Sequence, residues 1–149
     1  MLYNRVKRNA VGLVPIAGDT VISARSFANK VAKIDAAAGC LITLPVPAGT
    51  GDQYTFEVGT TVTSNSILIK APNSAVVFDG FAVQLADAGA GVNGWETAVD
   101  TDTVTLNGTT TGGLKGDLIT FTDIGTDRYQ VDLLGAATGT EATPFSATV

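Results

Sequence analysis

Apolar residues recur at every second position through most of this chain, which is the period of a half-buried β-strand. The cleanest run is Gln53-Tyr54-Thr55-Phe56-Glu57-Val58, where Tyr54, Phe56 and Val58 share one face and Gln53, Thr55 and Glu57 the other. Positions 40–44, 66–70, 81–85, 103–106, 118–122 and 129–133 repeat the pattern, and positions 21–22, 31–34 and 76–78 extend it less regularly. Turn chemistry separates these runs. Pro45-Val46-Pro47-Ala48-Gly49-Thr50-Gly51-Asp52 reads as a loop, because prolines and glycines serve a ladder poorly. Pro72-Asn73-Ser74, Asp79-Gly80 and Asn107-Gly108 read as turns, the last two of hairpin type. Short strands with few helix signals predict an all-β fold, a single compact β-sandwich or barrel, with the jelly roll as one form of it. Positions 26–38 stay open, since their Ala and Lys content permits a helix while Val31 and Ile34 suit a strand equally.

Two stretches interrupt the pattern. Residues 1–19 are basic, mixed in period and closed by Pro15 and Gly18, so they read as an extended N-terminal arm ahead of a β domain at 20–149. Positions 87–102 place Gly89, Gly91 and Gly94 around the only tryptophan, Trp95, and read as a loop pinned by that ring. The tail at 135–149 reads as an irregular segment that docks.

Composition narrows the chemistry. With 149 residues the chain has the length of one domain and is long enough to bury a core without disulfides or metal. Charged residues make up 15%, against about 25% in ordinary globular proteins. The net charge of -5 is uneven: Arg5, Lys7, Arg8, Arg25, Lys30 and Lys33 precede Ile34 with only Asp19 for company, and the rest holds three basic and thirteen acidic residues. An acidic body argues against nucleic acid as a partner, because phosphate contacts need a basic footprint. The N-terminus lacks the apolar run of a signal peptide and no stretch is long enough to span a bilayer, so a product made in a host cytoplasm, with no membrane partner, is expected.

Without histidine the usual proton shuttle and commonest metal ligand are missing, and the lone Cys40 supplies neither a disulfide nor a zinc set. No cofactor or metal site is expected, and no catalytic residues; an acid pair of Asp or Glu is the one enzymatic route left open. The run at 108–115, GTTTGGLK, has the look of a phosphate loop, but its spacing fails and Gly116 stands where Ser or Thr is needed. Asp100-Thr101-Asp102 lacks the remainder of a calcium loop, and Asn107-Gly108-Thr109 reads as a turn before it reads as a glycosylation acceptor.

Two features have an interaction reading beside a structural one. Arg5, Lys7 and Arg8 are either a solvated terminus or a contact for an acidic neighbour, a sister copy included. Trp95 is either a loop staple or an interface anchor.

Positions 53–65 (QYTFEVGTTVTSN), 103–117 (TVTLNGTTTGGLKGD) and 139–146 (GTEATPFS) resemble recurrent segments of small tailed-bacteriophage structural proteins, the head-decoration or capsid cement family. The resemblance covers the chain from about residue 40 onward. It implies a β-sandwich or barrel, a homotrimer on the capsid exterior of the virion, and stabilisation of the shell by bridging subunits of the major capsid protein. It carries no catalytic residues and does not extend to the basic arm. Arg5, Lys7, Arg8 and Trp95 are the first candidates for the capsid or subunit interface. The alternatives are a tail- or fibre-associated β module that binds a receptor or glycan, and a small carbohydrate-active enzyme with two carboxylates.

Overall fold

The computed structural model describes residues 13–149. Among the described residues twelve strands form two packed sheets: β1 (Val14–Ile16), β2 (Thr20–Val21), β3 (Lys30–Ile34), β4 (Cys40–Thr43), β5 (Gln53–Val58), β6 (Ile67–Lys70), β7 (Val77–Leu85), β8 (Val92–Glu96), β9 (Thr103–Leu106), β10 (Leu118–Gly125), β11 (Arg128–Ala136) and β12 (Phe145–Ser146). One helical turn, α1 (Ala24–Phe27), precedes β3. The larger sheet runs β1-β3-β5-β10-β11-β7-β8 and the smaller β12-β9-β6-β4-β2.

The first six strands alternate between the sheets. β1, β3 and β5 are parallel neighbours in the larger sheet, and β2, β4 and β6 are parallel neighbours in the smaller one. A parallel pair needs a crossover. Here the crossover is a strand of the opposite sheet, so the chain winds between the sheets as a flattened coil. The second half is built of hairpins, β7–β8 and β10–β11, with β11 laid parallel to β7.

Winding in register stacks like on like. Ile16, Ile34 and Val58 are direct neighbours across β1, β3 and β5, and all three are buried. One inward row crosses the whole larger sheet: Val14, Ala32, Phe56, Ile119, Leu133, Ala82 and Trp95. Facing it, Ile42, Ile69 and Val104 form a buried row of the smaller sheet. Between the sheets Phe121 meets Phe56, Phe78 and Tyr129 edge to face, at centroid separations of 6.2, 5.0 and 6.2 Å. Burying each such ring stabilises the fold by about 1.5–3 kcal/mol, and edge-to-face geometry adds to that. The Tyr129 hydroxyl, otherwise stranded in this core, donates to the Pro45 carbonyl at 2.8 Å.

The all-β sandwich agrees with the periodicity, while its topology departs from a jelly roll. A jelly roll is antiparallel, whereas β1–β3–β5, β2–β4–β6 and β7–β11 are parallel. The boundary of the arm also shifts: Val14–Ile16 lies inside the span 1–19, yet it forms the edge of the larger sheet because Ile16 completes a buried row. Positions 26–38 divide between the end of α1 and β3, with the buried Ile34 favouring the strand. Asp79-Gly80 is no turn; β7 runs straight through it. The stretch 87–102 contains β8, and the tail contributes β12 to the smaller sheet.

Candidate association surface

The continuity of β7 decides which side chains face outward. Strand parity puts Phe78, Gly80, Ala82 and Gln84 on the inner face, so Phe81, Val83 and Leu85 must face out. Two features lock this register. A Cβ at Gly80, whose φ is 151°, would collide with the Val131 carbonyl, so the strands approach too closely for any other residue. Gln84 is fully buried, and its amide donates to the Thr111 carbonyl at 3.0 Å.

The outward residues join others into one surface. Leu118 of β10 lies directly beside Leu134 of β11, and Leu134 directly beside Val83 of β7. Val92 of β8 is paired with Leu85. With Phe81, these six side chains are between 37% and 63% exposed. Together they form one contiguous apolar patch on the outer face of the sheet, a feature that is often a sign of function. Gly94, paired with Val83, carries no side chain and leaves a notch walled by Phe81, Val83 and Glu96.

The rim is acidic. Asp132 and Glu96 flank Phe81 as its direct cross-strand neighbours, and Glu57 stands beside Leu118. None of the three takes part in the ion pairs found among the described residues, Lys33–Asp35 at 3.2 Å and Arg128–Asp79 at 2.9 Å.

Trp95 lies at the edge of this sheet but turns inward. It ends the buried row of the larger sheet, half-buried against the core, and its Nε1 donates to Gln84 Oε1 at 3.2 Å. The ring is set on a strand instead of in a loop. Arg5, Lys7 and Arg8 lie outside the described residues. The apolar outer face escaped the sequence reading because the apparent turn at Asp79-Gly80 hid the parity of β7.

The motif-like stretches are absorbed by the fold. The backbone N–H groups of Gly113 and Leu114, which a phosphate would need, donate to Asp117 at 2.8 and 3.1 Å. Asn107 Oδ1 accepts from the Thr109 N–H, as a turn requires. Asp102 is buried and accepts the N–H groups of Thr148 and Val149, which tethers the C-terminus.

The remaining buried carboxylates are also engaged in structure. Burial pushes the Asp117 carboxyl above its ordinary value, opposed by N–H donors from Ala136, Gly113 and Leu114. Burial pushes on Asp123 in the same sense, but donors from Ala48, Gly49 and Thr50 outweigh it and hold the group below its ordinary value. Six residues along β10 separate Asp117 from Asp123, roughly 20 Å, well beyond the spacing of a glycosidase acid pair. Among the described residues no three His, Cys, Asp or Glu side chains are grouped to hold a metal ion, and no helix is long and apolar enough to cross a membrane. No protein-family description, curated protein or solved structure matches this chain.

Proposed function

We propose that this chain is a virion structural protein that decorates the exterior of a bacteriophage capsid, associating as a homotrimer and bridging subunits of the major capsid protein. The observation that carries this reading is the outer face of the larger sheet, where Leu118, Leu134, Val83, Phe81, Leu85 and Val92 present one contiguous apolar surface. Such a face is stabilised by being covered.

The interior supports the same reading. Its buried carboxylates are tied to the backbone, Asp117 to β11 and the 113–114 turn, Asp123 to the 48–50 loop, Asp102 to the C-terminus. A body braced in this way suits a protein that acts by shape. Several weak contacts linked in one trimer add up to high avidity on a repeating shell.

The resemblance of positions 53–65, 103–117 and 139–146 to decoration proteins supplies the identity of the partner. The test is to mix purified protein with shells that lack it and to count bound chains after sedimentation. Saturation at a fixed multiple of three per shell is expected. Protein that stays in the supernatant at every concentration would overturn the proposal.

A further inference from the structure

We propose that residues 1–12 of one copy cover the apolar outer face of a neighbouring copy, an assignment that rests on the association reading above and names the occupant of that face.

Charge selects this occupant. The face is bordered by Glu57, Asp132 and Glu96, none of them in an ion pair found among the described residues, and the cation beside Glu57, Lys33, is held by Asp35 at 3.2 Å. Two such faces pressed together would bring like charges into contact, which disfavours a face-to-face pair of copies. Residues 1–12 have the opposite character. They hold Arg5, Lys7 and Arg8 with no acidic residue, whereas the rest of the chain holds six basic and fourteen acidic residues. Leu2, Tyr3 and Val6 lie among those charges and supply apolar groups for Leu134, Val83 and the notch at Gly94.

Length permits it. The described residues begin at Leu13, next to β1, the edge strand of the larger sheet, three strands from β10, where the face begins. From β10 to β8 the face is about 14 Å wide, at about 4.8 Å per strand step. Twelve residues reach about 40 Å when extended, enough to leave one body and cross the face of the next. A contact that runs from the arm of one copy to the face of the next joins two different surfaces, and such head-to-tail contacts form a ring when the rotation between copies closes and an open filament when it does not.

The test mixes two single-cysteine-addition variants, Val6→Cys in one preparation and Leu134→Cys in the other, under mild oxidation. Disulfide-linked pairs of the two chains should exceed by about ten-fold those formed when Leu41→Cys, on the opposite sheet, replaces Leu134→Cys. Reversing the rim with Asp132→Lys and Glu96→Lys should lower the yield, and adding Arg5→Glu, Lys7→Glu and Arg8→Glu to the partner should restore it. Equal yields at Leu134 and Leu41 would overturn the assignment. So would a chain carrying both Val6→Cys and Leu134→Cys that links only to itself, since the arm then covers its own body. Shell binding is measured in parallel. Binding without the inter-chain link overturns this assignment and leaves decoration standing, while the link without binding does the reverse.

Discussion

Trp95 and Gln84 are joined by a hydrogen bond of 3.2 Å between the indole N–H and the buried amide oxygen, while the Gln84 amide nitrogen donates to the Thr111 carbonyl. This chain of donors ties the edge strand β8 to β7 and to the turn after β9. Gln84 stands on the inner face of β7, between Val83 and Leu85 that point out, and these two bonds are what make that placement tolerable.

Trp95→Phe keeps most of the ring but removes the donor, leaving Gln84 Oε1 unpaired inside the sandwich. The expected cost is about 1–2 kcal/mol, read as a lower urea midpoint at unchanged slope. A midpoint equal to that of the unaltered protein would mean that this bond contributes nothing.

Gly80→Ala tests the register of β7. The added methyl would collide with the Val131 carbonyl, and the backbone φ of 151° is one that side-chain-bearing residues rarely adopt. A loss of at least about 2 kcal/mol is expected from these two causes together. Gly94→Ala, which meets open space, is the matched control and should change the midpoint little.

How much of this was legible in the sequence follows from the same strand. Tyr54, Phe56 and Val58 announce their inner face because Gln53, Thr55 and Glu57 oppose them, and β5 packs as expected. In β7 the apolar residues change parity halfway, from Val76 and Phe78 to Phe81, Val83 and Leu85. A turn at Asp79-Gly80 is the local solution to that change. The fold instead keeps one strand and leaves the second set outside, a choice fixed by pairing with β11 more than forty residues away in sequence. The parallel winding of β1 to β6 was hidden for a similar reason. Periodicity reports which residues are strands, and long-range pairing decides the neighbours.

Asp123 predicts an acid response. Its folded-state pKa lies below the ordinary carboxylate value of 3.8, so the unfolded chain binds the proton more readily. The stabilisation from this group is present above the unfolded value and is lost as pH falls through the folded one. Asp123→Asn should therefore flatten the decline in urea midpoint below about pH 4 and lower the midpoint at pH 7, since it weakens the hold on Ala48 and Gly49. Asp117 has the opposite sign, with a raised value, so its share of stability declines as pH rises from 3.8 towards its folded pKa. An acid limb of unchanged steepness in Asp123→Asn would contradict the assignment.

Phe121→Ala tests the core against the surface. Phe121 touches three other rings, and its removal should cost about 3–5 kcal/mol. Leu134→Asp, by contrast, changes an exposed side chain and should leave the unfolding midpoint of the separated chain within about 0.5 kcal/mol of the original.

The most direct test of the account is the native mass of the intact protein and of Leu134→Asp, measured at the same concentration. Three chains for the intact protein and one for the variant, with the variant still folded, is the predicted pair of results. An intact protein that is monomeric, or a variant that keeps the mass of three chains, would contradict the claim that this sheet face exists to be covered.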